Sequence, residues 1–315
     1  MGSVLAREGD QLRSWRAQTI DPTTGWYYSL SEDCLRVLDR FVERAEADVA
    51  STVKLAVDGD DLTACEECLG PVRDALLSGR GFAIVQRLPV ETASQRRLTA
   101  LYWALGHLLG TPQVQDKHGT LLFDVTDTGQ DVKQGARFSV TNAESGYHTD
   151  CAFNPGIPEV VGLLCLKTAK SGGRSQLVSA YSVHDELAAC FPDELETLYR
   201  PFHFDRRGQH RDDEPPTLPF AVFAAPESRL CTRYMRYYID VGQERIGQPL
   251  SDAQTHALGA MEATIHEAGM NIEFDLRPGQ MLFTNNRWIL HNRTAFEDYD
   301  EPECRRHYVR LWLNR

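Results

Sequence analysis

"ESGYHTDCAF" (residues 144–153) is the stretch that decides the fold, because it places His148 and Asp150 two positions apart in an otherwise apolar, β-prone run. Side chains at positions i and i+2 of a β-strand point to the same face. We therefore predict a strand here, with His148 and Asp150 converging on one point as half of a metal site. Taken alone, the pair is better explained as a buried His–Asp hydrogen bond of structural value.

The second half of the predicted site lies in "PGQMLFTNNRWILHNRTAFEDY" (residues 278–299), which supplies His291 near the start of another predicted strand. Two imidazoles and one carboxylate form the facial triad of non-heme iron(II) oxygenases, which leaves coordination positions open. A structural zinc site would instead be closed by four protein ligands. We predict that His148, Asp150 and His291 are the metal ligands and catalytic residues.

Two arginines follow in "CRRHYVRLWL" (residues 304–313), where Arg306 and Arg310 are four positions apart. An even separation on a strand keeps both side chains on one face. A guanidinium binds a carboxylate through two charge-assisted hydrogen bonds, as the distal carboxylate of 2-oxoglutarate requires when its keto-acid end chelates iron. The alternative is an exposed strand face with ordinary ion pairs, which the apolar surroundings disfavour.

Composition limits the class of protein. The formal net charge of −12 argues against nucleic-acid partners, because nothing offsets repulsion from the phosphates. No segment reaches the length of uncharged sequence that a membrane span needs, so the sequence predicts a cytoplasmic protein without a membrane partner. The eight cysteines are scattered. Cys65 and Cys68 form a CxxC pair within an amphipathic helical pattern, which we interpret as a coincidence on a helix surface.

The order of the predicted elements favours one fold. Helices are predicted over residues 31–50, 61–78 and 94–110, and many short strands with few helices follow. This order is typical of a double-stranded β-helix (jelly-roll) core flanked by helices, an α+β or mainly β fold, and not of a doubly wound parallel sheet. We predict a single domain over residues 1–315, in which about the first 80 residues are a helical extension capping the β-core. Further strands are predicted at 137–142 and 230–239, and a surface loop or lid at 201–220.

Four segments of the sequence resemble one family: "YHTDCAF", "GLLCLKTAKSGGRSQLVSA", "NNRWILHNRTAFEDY" and "RRHYVRLWL". They are similar, in order and spacing, to the TauD/TfdA-like iron(II)/2-oxoglutarate-dependent dioxygenases, near the clavaminate synthase-like enzymes, over roughly residues 80–315. The resemblance implies that the two histidines and the aspartate hold iron, and that Arg306, preferred over Arg305, binds 2-oxoglutarate. Ser175 matches a position where relatives carry a threonine that donates to the same carboxylate. Arg310 matches an arginine that binds either the cosubstrate or an acidic group of the substrate.

The resemblance also implies a reaction. With Fe(II), 2-oxoglutarate and O₂, we expect oxidation of an unactivated C–H bond in a small polar substrate, an amino acid or other carboxylate of secondary metabolism. Hydroxylation is the default outcome, and desaturation, cyclisation or oxidative fragmentation are possible. Halogenation is disfavoured because Asp150 is retained. The alternatives are a catabolic dioxygenase of a small sulfonate or carboxylate, a non-oxidative metal enzyme, and a catalytically silent jelly-roll protein. His118 and Arg137 are further candidates for substrate contact, and the oligomeric state stays open.

Overall fold

The computed structural model describes residues 12–20, 25–46, 59–226 and 229–314. The helices are α1 (Glu32–Glu46), α2 (Gly59–Leu77), α3 (Gln95–Leu109), α4 (Ala180–Cys190), α5 (Pro192–Leu198), α6 (Arg236–Arg245) and α7 (Asp252–Ile265). The strands are β1 (Tyr27–Ser29), β2 (Phe82–Gln86), β3 (Thr111–Gln113), β4 (Leu122–Val125), β5 (Val160–Lys167), β6 (Ser171–Gly172), β7 (Ser175–Ser179), β8 (Pro201–Asp205), β9 (Thr217–Ala221), β10 (Phe223–Ala224), β11 (Cys231–Thr232), β12 (Asn271–Phe274), β13 (Met281–Asn285), β14 (Ile289–Arg293), β15 (Phe296–Glu297) and β16 (His307–Asn314). None of the helices in the described ranges has the length and apolar character that crossing a bilayer demands.

Two sheets form the β-core. The larger has seven strands in the order β1-β2-β13-β5-β16-β3, with β4 also paired to β16, and the smaller has the order β12-β7-β14. All these pairings are antiparallel except the one between β1 and β2. Phe82 and Ile84 of β2 pack in one core with Leu177 and Leu290 of the smaller sheet. The predicted jelly-roll core flanked by helices is therefore confirmed.

The opposite face of the large sheet carries a second core beneath helices. The side chain of Ala83 points to the face of β2 opposite to the side chains of Phe82 and Ile84. Ala83 packs in this second core with residues of the three helices: Leu38 of α1, Leu69 of α2 and Leu105 of α3. The helices near the N-terminus thus cover the sheet, as the predicted extension would. The end of the helix predicted over 31–50 lies outside the described residues, as does much of the chain before residue 26.

Helix ends follow the local sequence. The side chain of Ser94 accepts a hydrogen bond from the backbone N–H of Arg97, and Ser251 forms a reciprocal capping box with Gln254. Pro192 is the first residue of α5, where a proline needs no hydrogen-bonded N–H, and it separates α4 from α5. Cys65 lies on α2 and is only 2% exposed, so its predicted surface position was wrong.

Three segments near the cavity differ from the prediction. The expected loop at 201–220 is largely a hairpin of β8 and β9, because the side chains of Phe202 and Phe204 are fully buried. The expected strand at 230–239 is limited to β11, and the segment ends in the first turn of α6. Gly242 of α6 lies so close to β8 that a Cβ there would be 2.2 Å from the His203 carbonyl oxygen. The expected strand at 137–142 contains a 3₁₀ turn, Phe138–Val140. Each difference reflects packing against residues distant in sequence.

Candidate active site

The segment around His148 is held in place by long-range backbone bonds, not by membership of a regular strand. The His148 N–H donates to the His291 carbonyl at 3.0 Å, and the His291 N–H donates back at 2.9 Å. The predicted strand is therefore an isolated bridge, with Met235 as the second bridge partner of His148. Asn286 fixes the next turn, because its side chain accepts from the Asp150 N–H at 2.7 Å and donates to the Asp150 carbonyl at 2.9 Å.

The three predicted metal ligands meet. The Nε2 atoms of His148 and His291 lie 3.6 and 3.7 Å from Oδ1 of Asp150, and the three ligand atoms lie within 4.8 Å of one another. Nδ1 of His148 is 2.8 Å from the carbonyl oxygen of Gly146, which can only accept, so the lone pair of this imidazole lies on Nε2. Two imidazoles and one carboxylate facing one point fit iron(II).

The second carboxylate oxygen of Asp150 is engaged separately. The indole Nε1 of Trp312 donates to Oδ2 at 2.6 Å, and Nη1 of Arg310 lies 3.2 Å from the same oxygen. Nη1 of Arg310 also donates to Oδ1 at 3.4 Å, and Oδ1 is the oxygen that faces the two histidines. Sequence reasoning missed Trp312, although it stands two positions after Arg310 and so shares its face of β16.

The protonation states suit metal binding. Burial raises the pKa of Asp150, but Arg310 and the two histidines outweigh burial and hold that pKa well below its ordinary value. Burial, reinforced by the neighbouring His148, lowers the pKa of His291. Asp150 is therefore ionised and His291 neutral near pH 7, which are the forms that bind a metal.

Arg306 is a buried cation with an unused donor. It immediately precedes β16, is 4% exposed, and its guanidinium lies 3.9 Å from the ring centroid of Tyr308. Its Nη1 is buried without a hydrogen-bond partner among the described residues. Arg305, by contrast, is exposed and donates to the carbonyls of Tyr299 and Asp300. The predicted preference for Arg306 thus agrees with the geometry, and Arg306 and Ser175 line the cavity that holds the triad.

The cavity is rich in arginine. Arg137, Arg293, Arg306 and Arg310 line it, and Asp150 is the one carboxylate residue among the described lining residues. Arg293, which sequence reasoning did not single out, donates to the carbonyl oxygens of residues 141 and 143. Burial, together with the charge of Arg306, lowers the pKa of Arg293 to about 9. The sequence signal that could have identified Arg293 as a cavity residue is its position two residues after His291 on β14.

Other predicted candidates lie elsewhere. His118 is exposed in a turn outside the cavity. In the 230–239 segment, the hydroxyl of Tyr234 donates to Glu262 away from the cavity, whereas Met235 and Tyr238 line it. The 230–239 segment therefore contributes Met235 and Tyr238 to the cavity, and the predicted strand did not indicate either residue.

An antiparallel jelly-roll that gathers two imidazoles, one ionised carboxylate and a buried arginine around one cavity defines the non-heme iron oxygenase class. A family model described as "Taurine catabolism dioxygenase TauD, TfdA family" matches residues 45–312. The chain belongs to this family of iron(II)- and 2-oxoglutarate-dependent dioxygenases, with O₂ as co-substrate. The predicted family, enzyme class and cofactors are confirmed, and the match begins upstream of the predicted start near residue 80.

Individual relatives are more distant. The FR-33289 synthase of Streptomyces rubellomurinus is 25% identical over 305 residues, covering 95% of this chain and 88% of the relative. An asparagine oxygenase solved with Fe(II), 2S,3S-3-hydroxyasparagine and succinate has a TM-score of 0.66 at 16% identity, covering 91% of this chain and 93% of that one. The non-heme iron oxygenase OrfP with Fe and alpha-ketoglutaric acid has a TM-score of 0.66 at 17% identity, covering 91% and 94%. These structures share the fold.

Proposed function

We propose that this dioxygenase oxidises an unactivated C–H bond of a small polar substrate, an amino acid or another carboxylate, with hydroxylation as the default outcome. In this proposal His148, Asp150 and His291 hold the iron, and Arg306 with Ser175 holds the distal carboxylate of 2-oxoglutarate. The observation that carries the assignment is the buried Nη1 of Arg306, which lies in the triad's cavity and has no hydrogen-bond partner in the part of the chain that the structure describes. An unsatisfied buried donor costs free energy unless a ligand pairs with it.

The protein's own groups have distinct tasks. Trp312 donates to Oδ2 of Asp150 and Arg310 contacts both carboxylate oxygens, so the carboxylate is fixed with Oδ1 directed at the histidines. Arg306 provides a fixed cation in a region shielded from water, where a charge-assisted hydrogen bond to a carboxylate is strong. When bound, iron(II) with 2-oxoglutarate and O₂ supplies the oxidant for the C–H bond. Apolar side chains such as Phe153 line the remaining wall and exclude water.

The substrate class and its setting extend beyond the family assignment. The asparagine oxygenase of the same fold was solved with a hydroxylated amino acid, which supports an amino-acid substrate here. A role in secondary metabolism and a cytoplasmic location stay predictions, as does a single domain over residues 1–315. A catalytically silent or non-oxidative jelly-roll protein is less well supported, because neither needs a buried arginine with a free donor beside the triad.

Turnover with reconstituted protein tests the proposal. The protein is loaded anaerobically with Fe(II) and 2-oxoglutarate, exposed to O₂, and assayed for succinate with a panel of amino acids and small acids. The expected result is succinate formation coupled to a mass increase of one oxygen in one panel member. His148→Ala and His291→Ala should abolish both signals, and the control His266→Ala, which alters an exposed histidine outside the cavity, should not. Iron-loaded protein that fails to bind 2-oxoglutarate contradicts the proposal.

A further inference from the structure

We propose that Arg137, with the hydroxyl of Tyr238, forms a second oxyanion site in the cavity, which binds an acidic group of the substrate. The acidic group is an oxyanion: a carboxylate, phosphonate, phosphate or sulfonate. This inference rests on the proposed function, since it assigns the substrate's anchor within the same cavity.

The other three arginines of the cavity already have partners or an assigned ligand. Arg293 donates to two backbone carbonyls, at residues 141 and 143. Arg310 donates to Oε1 of Gln115 at 2.8 Å and contacts the Asp150 carboxylate at 3.2 Å. Arg306 is assigned to the distal carboxylate of 2-oxoglutarate. Arg137 is the one lining arginine left without an assigned role among the described residues.

The contacts of Arg137 itself are long. Its Nη2 is 3.7 Å from Oδ2 of Asp116, and its Nη1 is 3.5 Å from the Gln115 carbonyl oxygen. Both distances exceed those of good charge-assisted hydrogen bonds, which are roughly 2.7–2.9 Å. The other oxygen of Asp116 accepts hydrogen bonds from the backbone N–H groups of His118 and Thr120, so this carboxylate stabilises the turn in which it lies. The guanidinium of Arg137 therefore retains donors for a ligand.

The loop that carries Arg137 is fixed from two sides. Arg207, whose side chain is 5% exposed, donates to the carbonyls of Val132 and Ala136 just before Arg137. Arg293 donates to carbonyls just after it. The Arg137 side chain is 19% exposed, and its guanidinium lies 4.8 Å from the ring centroid of Phe123. The cation is thus held at the cavity before any ligand arrives, which reduces the entropy lost on binding.

A neutral donor stands in the same cavity. Tyr238 of α6 lines it, and it lies near enough to Arg137 for the two side chains to interact electrostatically. Burial raises the pKa of Tyr238 to about 12, so the phenol keeps its proton near pH 7. A protonated phenol and a guanidinium together complement an oxyanion.

The net positive charge of the cavity favours the binding of a second anion. Four guanidinium groups line it against one carboxylate residue among the described lining residues, and the carboxylate of Asp116, outside the lining, lies 3.7 Å from Arg137, so the positive charge is only partly balanced. Adding iron(II) and the 2-oxoglutarate dianion does not change this excess, because their charges cancel. A monoanionic or dianionic group on the substrate would reduce it. The substrate is therefore expected to place its acidic group at Arg137 and its apolar part against side chains such as Phe138 and Phe153.

Binding of simple oxyanions tests the inference without turnover. The full-length protein is loaded with Mn(II) and saturating 2-oxoglutarate, which occupies the Arg306 site, and titrated with methylphosphonate. Binding near the paramagnetic metal is read from ³¹P relaxation, and acetate and sulfate are added as competitors to separate carboxylate, phosphonate and sulfonate preference. The variants are Arg137→Gln, Arg137→Lys and Tyr238→Phe. The matched control Arg200→Gln removes an arginine that is 67% exposed and paired with Glu196.

The expected result is binding to the wild-type protein that weakens roughly ten- to a hundredfold in Arg137→Gln, the loss expected for a charge-assisted pair. Arg137→Lys should bind with intermediate affinity, Tyr238→Phe more weakly than wild type, and Arg200→Gln like wild type. The inference is overturned if Arg137→Gln binds methylphosphonate like wild type, if no oxyanion binds the wild-type protein, or if Arg137→Gln loses 2-oxoglutarate affinity in parallel. Failure of the wild-type protein to bind 2-oxoglutarate would instead refute the proposed function.

Discussion

Replacing Arg306 with glutamine removes the buried cation while keeping a polar side chain of similar length. Arg306 is 4% exposed and its Nη1 has no hydrogen-bond partner among the described residues, so the variant breaks no described side-chain ion pair, although it removes the guanidinium's contact with the ring of Tyr308. What it loses is the charge-assisted interaction with the ligand, about 1.5–3 kcal/mol per hydrogen bond. One such bond corresponds to a roughly 10- to 150-fold weaker affinity for 2-oxoglutarate.

The assay is an anaerobic titration of the Fe(II)-loaded protein with 2-oxoglutarate, followed by the absorption of the iron–keto-acid complex. Iron affinity should change little, because Arg306 makes no described contact with the triad residues. Arg305→Gln is the matched control, since Arg305 is exposed and its guanidinium bonds only to backbone carbonyls among the described residues. Equal 2-oxoglutarate affinities for wild type and Arg306→Gln would refute the assignment, and a loss in Arg305→Gln alone would transfer the role to the neighbouring residue.

Three further outcomes are expected. Trp312→Phe removes the donor 2.6 Å from Oδ2 of Asp150, so Mn(II) affinity measured by calorimetry should fall about 10- to 100-fold, and an unchanged Kd contradicts this role. Burial lowers the pKa of His184 in the folded protein, so as the pH falls the unfolded state binds a proton before the folded state does. The stability that His184 contributes above pH ~6.5 is therefore lost as the pH falls. The drop in melting temperature between pH 7.5 and pH 5 should be smaller in His184→Gln than in the wild-type protein. Gly162→Ala would place a Cβ 2.4 Å from a buried tyrosine hydroxyl and should lower the free energy of unfolding by about 1–3 kcal/mol in urea titrations. Gly259→Ala on α7, which meets no atom within 4 Å, should instead raise it by about 0.5–1 kcal/mol, and equal effects of the two would contradict the packing argument.

Local spacing in the sequence was enough to predict that two of the three proposed metal ligands converge. His148 and Asp150 are two positions apart, and Arg306 and Arg310 are four apart, so an extended backbone sends each pair toward one side. Extended geometry, not membership of a regular sheet, is what this inference requires. The inference that His148 and Asp150 point to one side therefore holds, although the segment at His148 is an isolated bridge and not the predicted strand. The order of the predicted elements, helices first and then many short strands, likewise predicted the jelly-roll.

The partners of these residues were decided by the tertiary structure. Asp150 is fixed by Asn286, 136 positions away, and its second oxygen by Trp312, 162 positions away. No local pattern encodes such pairings, since they arise only when distant strands align and exclude water from the polar groups between them. The same holds for Arg137, whose candidacy as an anion site depends on other arginines being engaged elsewhere. The local sequence determines to which side of the backbone a side chain points, whereas tertiary packing determines which partners that side chain contacts.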